Sequence, residues 1–163
     1  MQDTAISVFH KVKSSEKPFA QVIEVLEAQL GYIPGEQLRQ IVQSSTSADR
    51  YAQAIRPFIG PSGFTVFAEF DHGLWISMFF KPLKAKLYVL GNALFAKDML
   101  TRDVAVGLYV PTRLYVYEDQ QGLTQLAYDR LSDFVEQFHD PAITAVAKMV
   151  DEKLDALVDL AVG

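Results

Sequence analysis

Hydrophobic and polar side chains recur along the chain with two different periods. Residues 6–13 alternate between apolar and polar positions, which is typical of a half-buried β-strand. In residues 19–30 the large apolar side chains recur at a spacing of three or four, and this spacing predicts an amphipathic helix that ends at Gly31. The chain is therefore predicted to open with a strand followed by a helix.

The next segment, residues 31–62, has the pattern of two short helices. Pro34 can begin the first helix, the serine- and threonine-rich residues 44–47 break it, and a second helix is predicted from about Asp49. Because roughly 30 residues rarely build a core of their own, we expect this segment to be a helical insertion within a single domain that spans residues 1–163.

Four more strands are predicted after this segment. Their ranges are residues 64–70, 86–90, 113–117 and 123–128, and the last two strands form a hairpin around Gly122. In the strands at 86–90 and 113–117 both faces are apolar or aromatic. A sheet of this kind needs cover on both faces, so we expect helices on one face and a ligand, a second subunit or another layer on the other.

Two more helices complete a predicted α+β fold. The first spans residues 96–106. The second begins after Asp140, an N-cap residue followed by Pro141 at the first helical position, and its apolar residues keep helical spacing as far as Ala161. We interpret the acidic residues of this last helix as its solvent-exposed face; they are Asp151, Glu152, Asp155 and Asp159.

Composition narrows the classes to which the protein can belong. Of the 163 residues, 50% are hydrophobic and 21% are charged, which supports a sizeable core and excludes intrinsic disorder. The absence of cysteine excludes disulfides, thiolate catalysis, and cysteine-ligated zinc or iron–sulfur sites. The longest uncharged apolar stretch, Gly73–Phe80, is too short to span a bilayer, which needs about 20 residues.

The net charge of −5 is concentrated in residues 131–163, which hold seven acidic residues and two lysines. The closest approach to a basic patch is the group Lys81, Lys84 and Lys86, which is short and lacks arginine. Nucleic-acid-binding proteins carry a larger basic surface, so we expect no nucleic-acid partner. The first residues show no basic region followed by an apolar run, and a cytoplasmic location is therefore expected.

Asp71 and His72 form an acid–imidazole pair at the end of a predicted strand. His72 could act as a general base with Asp71 or Asp119 as its partner, or it could bind a metal or a haem iron. The alternative that we favour is structural, in which Asp71 caps the following turn and His72 hydrogen-bonds to the backbone. No His-x-x-x-His or related ligand motif occurs, so the sequence predicts no metal site and identifies no cofactor.

Residues 74–86 form the most unusual connection, because large apolar side chains are followed by three lysines. The simplest interpretations are core filling by a helical turn and a contact between two copies of the chain. The other interpretations are a lid over an apolar cavity and insertion of Trp75, Phe79 and Phe80 into a membrane surface.

Three motifs carry a family resemblance. They are Gly-Phe-Thr-Val-Phe-Ala-Glu-Phe-Asp-His at residues 63–72, Leu-Tyr-Val-Leu-Gly-Asn at residues 87–92, and the hairpin at residues 111–128. Together they resemble the bacterial family catalogued as domain of unknown function 302. The resemblance implies a small curved antiparallel sheet in the order strand, helix, four strands, helix, like half of the TATA-binding protein, and it implies homodimers. It implies no activity, and the chain departs from the family pattern at Ala93, where a proline is usual.

These observations favour a non-enzymatic module that binds a small apolar ligand or a partner protein and forms a homodimer. The candidate ligand-binding residues are Asp71, His72, Trp75, Asn92, Tyr117 and Tyr128. For the tyrosines among them, cross-strand packing is the favoured alternative. No catalytic residue is assigned. The rival functions are an enzyme that uses His72 with Asp71 or Asp119 as acid and base, and a membrane-peripheral or assembly factor that acts through residues 74–86.

Overall fold

A six-stranded open sheet lies at the centre of the protein. The computed structural model describes residues 3–163. Its strands are β1 (His10–Ser15), β2 (Gly31–Tyr32), β3 (Thr65–Asp71), β4 (Ala85–Gly91), β5 (Thr112–Glu118) and β6 (Thr124–Asp129). They lie side by side in the order β1–β6–β5–β4–β3–β2. All neighbouring strands are antiparallel except β2 and β3, which are parallel.

Seven α-helices accompany the sheet within residues 3–163. They are α1 (Phe19–Glu27), α2 (Gly35–Ser44), α3 (Ala48–Ile55), α4 (His72–Ile76), α5 (Ala93–Leu100), α6 (Leu131–Val135) and α7 (Pro141–Val162). Helix α7 contacts α1, α5, α6 and β1. Between this layer of helices and the sheet lies the hydrophobic core, which includes the fully buried Tyr88, Leu114 and Leu126. No helix of the described range combines the length and hydrophobicity that a membrane crossing requires.

The predicted α+β fold class is confirmed, and the four strands predicted after residue 62 correspond to β3–β6. The strand predicted at residues 6–13 is shifted, because β1 begins at His10 and continues to Ser15. Its partner explains the shift. Strand β6 ends at Asp129, which is directly opposite His10, so residues before His10 have no ladder partner. The structure also adds β2, a two-residue strand at the sheet edge.

The helix predicted at residues 96–106 is divided into two elements. Helix α5 begins earlier, at Ala93, because the Asn92 side chain accepts a hydrogen bond from Leu94 N at 2.8 Å and caps the helix directly after β4. After Leu100 the chain turns, and Asp103 begins a separate 3₁₀ helix by accepting a hydrogen bond from Ala105 N at 2.8 Å. The predicted helix is therefore divided at Asp103, where a second cap begins the 3₁₀ helix.

The C-terminal helix forms as predicted, with Asp140 as its N-cap, but the interpretation of its acidic residues as a uniformly exposed face is wrong. Asp151 is only 7% exposed, and its carboxylate accepts hydrogen bonds from Leu131 N at 2.8 Å and Ser132 N at 3.1 Å. Asp155 is half-buried and accepts hydrogen bonds from Lys11 and Tyr128. The helix is enclosed on this side by α6 and β1, which supply donors for these carboxylates.

Residues 31–62 are attached to the sheet through a close approach of two glycines. The carbonyl oxygen of Phe64 accepts hydrogen bonds from both Gly31 N and Gly60 N at 2.9 Å. A Cβ atom added at Gly31 would overlap the Phe58 carbonyl oxygen and lie 2.6 Å from Gly60 N, so no larger residue fits there. The two predicted helices are present as α2 and α3. That this segment is an insertion stays a prediction.

Candidate functional site

One face of the sheet lies under α1 and α7, and the opposite face is open. Phe70, Leu87 and Tyr115 are directly opposite one another on β3, β4 and β5. Because successive residues of a strand point to opposite faces, these side chains point away from the buried Tyr88 and the helices. The helical face is thus filled, and the other face presents aromatic and aliphatic side chains without a covering layer among residues 3–163.

Six aromatic rings form a continuous group on this open face, which we call the aromatic surface. Its members are Phe70, His72, Trp75, Phe79, Tyr115 and Tyr117. The His72 ring lies 5.6 Å from the Tyr115 ring and 6.2 Å from the Trp75 ring, centroid to centroid. Tyr115 stacks on Tyr117 at 5.3 Å. Burial among these rings, with the neighbouring Tyr117, raises the pKa of Tyr115.

Two residues allow helix α4 to lie close against the sheet: Asp71, whose side chain caps the helix, and Gly73, which has no side chain. Asp71 Oδ1 accepts a hydrogen bond from Leu74 N at 2.7 Å and caps the helix. A Cβ atom at Gly73 would overlap the Leu83 carbonyl oxygen and lie 3.0 Å from Ala85 N. The helix can approach the start of β4 this closely only because residue 73 is glycine, and the approach sets the position of Trp75.

Apart from the half-buried Ile76, the side chains of residues 74–83 are exposed, so the interpretation of this segment as core filling is wrong. Trp75 is 53% exposed, Phe79 78% and Met78 82%. Leu74 and Phe80 are also more than half exposed. The helix follows the open face of the sheet, where no other element of residues 3–163 covers these side chains. A large contiguous apolar patch of this kind marks an interaction surface.

The structure does not assemble an acid–imidazole pair at His72. The Asp71 carboxylate caps α4, as the structural interpretation proposed. The Asp119 carboxylate accepts a hydrogen bond from Gln125 at 2.7 Å, and this bond together with those from backbone amides of its own turn holds the pKa of Asp119 below its usual value. Within residues 3–163 the His72 ring has no hydrogen-bond partner, so the expected bond to the backbone is also missing. Its neighbours are aromatic rings.

Two of the predicted site residues lie away from the aromatic surface. Tyr128 is on the helical face, where its hydroxyl donates to Asp155 Oδ1, and burial with this hydrogen bond raises the pKa of Tyr128. Asn92 lies at the other end of β4, where it caps α5 and donates from Nδ2 to the Gly63 carbonyl oxygen at 2.8 Å. The predicted set is therefore divided: Asp71, His72, Trp75 and Tyr117 come together, and Asn92 and Tyr128 do not join them.

A cavity of about 360 Å³ opens beside Asn92. Its wall is apolar and is built from side chains that include Tyr51, Phe67, Phe95, Met99, Val110 and Val150. These residues come from α3, β3, α5, the segment before β5, and α7. Of the predicted site residues only Asn92 lines the cavity. Sequence reasoning missed it because its wall, which also includes Leu131 of α6, is assembled from six separated segments, each of which has the pattern of ordinary core.

Metal-binding residues do not gather anywhere in the described range. No group of three or more His, Asp or Glu side chains that could hold an ion occurs among residues 3–163. The closest pairing of an imidazole with a carboxylate is that of His10 Nδ1 and Asp129 Oδ1, 2.7 Å apart on the exposed edge of the sheet.

Comparison with known proteins places this fold and sequence in a family. No curated protein matches the chain. A crystal structure of an uncharacterized conserved protein DUF302 from Bacillus stearothermophilus has the same fold, with a TM-score of 0.65 and 21% sequence identity over 94% of this chain and 98% of that one. A family model matches residues 40–161. The resemblance noted in the sequence is confirmed, and the chain belongs to the family described as Domain of unknown function DUF302.

Proposed function

We propose that the protein is a non-enzymatic module that binds a small, largely apolar molecule in the cavity beside Asn92. The observation that carries the proposal is the cavity itself, whose volume of about 360 Å³ falls in the range of small-molecule sites. Its wall is formed by apolar and aromatic side chains, among them Tyr51, with Asn92, Lys97 and Thr112 as polar residues. Such a combination favours a ligand that buries an apolar body and keeps one polar end near the mouth.

Methionine methyl groups offer a direct test of this proposal. Met99 lines the cavity, whereas Met78 is exposed beside the aromatic surface. We expect 1-octanol, used as a neutral apolar probe, to shift the NMR signal of the Met99 methyl group in a saturable titration. The Met78 signal should not change, because a ligand in the cavity does not reach it.

A matched pair of variants separates binding in the cavity from unspecific adsorption. Ala96 lines the cavity, so Ala96→Phe should fill it and abolish the saturable shift of Met99. Ala156 is an exposed residue of α7, and Ala156→Phe should leave the titration unchanged. If the Met99 signal stays in place throughout the titration of the wild-type protein, the proposed function is wrong.

The enzyme hypothesis has less support in the arrangement of its residues. His72 would need a carboxylate within hydrogen-bond reach to act as a tuned acid or base, and both candidate carboxylates are engaged with other donors. The ring lies instead among Phe70, Trp75 and Tyr115. These contacts favour a packing role for His72 on the aromatic surface.

The aromatic surface supports a second proposal, that two copies of the chain associate through it. Its exposed rings continue into the exposed apolar side chains of Leu74, Met78, Phe80 and Leu83. Apolar patches form the core of protein interfaces, in which each partner typically buries about 800 Å².

Two of the three lysines of residues 74–86 are neutralised, because Lys84 pairs with Glu118 at 2.7 Å and Lys86 with Glu27 at 2.7 Å and Glu69 at 3.2 Å. Within residues 3–163 only Lys81 of the three has no carboxylate within 4.0 Å, and its Nζ lies 5.9 Å from the centre of the Phe80 ring. A single lysine without a counter-ion attracts an anionic membrane only weakly, so this apolar face suits a second copy of itself better.

Removal of two rings from the aromatic surface should separate the copies. We expect the wild-type protein to sediment as a dimer and Trp75→Ala/Phe79→Ala to have a dimer dissociation constant at least about tenfold higher, because buried aromatic anchors dominate such interfaces. Leu160 is 52% exposed on α7, and Leu160→Ala is the control that should remain dimeric. A monomeric wild-type protein that binds vesicles of phosphatidylglycerol would overturn this proposal in favour of a membrane-peripheral role.

A further inference from the structure

Lys153 lies on α7 next to residues that line the apolar cavity, although it is not itself part of the wall. It is one helical turn after Val150, which lines the cavity, and residues at this spacing share a helix face. Its Nζ atom is 5.8 Å from the centre of the Phe95 ring, another part of the wall. On its other side the Lys153 side chain approaches Gly63, where an added Cβ atom would be 3.6 Å from Nζ.

The Lys153 ammonium group has no counter-ion in the described part of the chain. No carboxylate oxygen of residues 3–163 lies within 4.0 Å of its Nζ, although Lys11, Lys13 and Lys97 each have one. The side chain is half-buried. A cation that is partly removed from water without an anionic partner is unfavourable, and a ligand that supplies the anion would relieve this cost.

The other polar groups of the cavity point to the same ligand chemistry. The wall contains no aspartate or glutamate, and its one charged residue is Lys97. Both ends of the Asn92 amide are occupied, since Oδ1 accepts from Leu94 N and Nδ2 donates to the Gly63 carbonyl oxygen. The amide is therefore already committed. Of the two nearby ammonium groups, that of Lys97 is paired with Asp98, whereas that of Lys153 remains available to an anionic ligand.

We propose that the ligand is an anionic amphiphile, a small carboxylate with an apolar tail, whose charged group binds Lys153 at the mouth of the cavity. The tail lies against Phe95, Met99 and Val150, and the carboxylate forms a charge-assisted hydrogen bond with the ammonium group. This inference rests on the proposed function, because it requires that the cavity bind a ligand. It adds the chemical class of that ligand and the residue that selects it.

Three probes of equal chain length test the inference: octanoate, 1-octanol and octylammonium. In the Met99 titration we expect the wild-type protein to bind octanoate about five- to tenfold more tightly than 1-octanol. A charge-assisted hydrogen bond that is partly exposed to water increases affinity by about this factor. Lys153→Met keeps the aliphatic stem and should remove this preference while leaving the affinity for 1-octanol unchanged. Lys148 is an exposed residue of the same helix, and Lys148→Met should leave both affinities as they are.

The outcomes separate this inference from the proposed function. Equal affinity for octanoate and 1-octanol, or tightest binding of octylammonium, overturns the inference while the ligand-binding module stands. A preference for octanoate that survives in Lys153→Met and is lost in Lys97→Met overturns the assignment to Lys153. If none of the three probes shifts Met99, both proposals are wrong.

Discussion

Asp151→Ala should lower the free energy of unfolding by about 2–4 kcal/mol. The Asp151 carboxylate accepts hydrogen bonds from Leu131 N and Ser132 N, the first two amides of α6, in a site where the side chain is 7% exposed. Alanine would leave two buried donors without an acceptor, and the desolvation of each of them would no longer be compensated. Urea unfolding at pH 7, followed by circular dichroism, measures the difference.

Two further variants make this result specific to the hydrogen bonds. Asp151→Asn keeps one acceptor oxygen, so its stability should lie between those of the wild-type protein and the alanine variant. Glu152 is the exposed neighbour, and Glu152→Ala should change stability by less than about 0.5 kcal/mol. If Asp151→Ala were as stable as Glu152→Ala, the carboxylate would not be holding α6 on α7.

Gly31→Ala should destabilise the protein by about 2–3 kcal/mol, because the new methyl group would enter space that backbone atoms already occupy. The obstructing atoms are the Phe58 carbonyl oxygen and Gly60 N. Neither can rotate away as a flexible side chain could, so the two backbone segments must separate. Their hydrogen bonds to the Phe64 carbonyl oxygen, 2.9 Å each, would weaken as they move. Urea unfolding gives the overall loss, and hydrogen exchange of the Gly60 amide reports the local separation.

Gly35→Ala is the matched control for this variant. A Cβ atom at Gly35 meets nothing within 4 Å, and the residue lies at the start of α2. Alanine there should be neutral or stabilising by a few tenths of a kcal/mol, because it restricts the unfolded chain without a clash. If both variants lost the same amount of stability, the loss at Gly31 would come from the general replacement of glycine by alanine and not from the close approach to Phe58 and Gly60.

Most of the fold could be predicted from the sequence because its signals are local. The β5–β6 hairpin follows from two apolar runs around Gly122, and α7 from the cap at Asp140 and its apolar spacing. Asp151 could not be predicted in this way. Helical spacing tells which residues share a face with Asp155 but not which neighbouring element covers that face, and here α6 covers part of it.

The candidate site was predictable only in part, for a related reason. His72 and Trp75 are close in sequence, and Tyr117 reaches them through Tyr115, which lies on the same strand, β5. Large apolar side chains such as those after His72 are usually buried. Their exposure is therefore visible only in the tertiary structure. The cavity depends on the convergence of six segments, for which the sequence contains no single motif.

The two edge strands of the sheet offer little opportunity for pairing with strands of other molecules. Strand β2 has only two residues, and an edge strand this short presents few unpaired backbone groups to another chain. At the far margin, β1 carries Lys11 and Lys13, which are tied by ion pairs to Asp155 and Asp159 of α7. Fibrillar aggregation by edge-to-edge stacking is thereby discouraged at both edges of the sheet, which leaves its broad open face for the association proposed above.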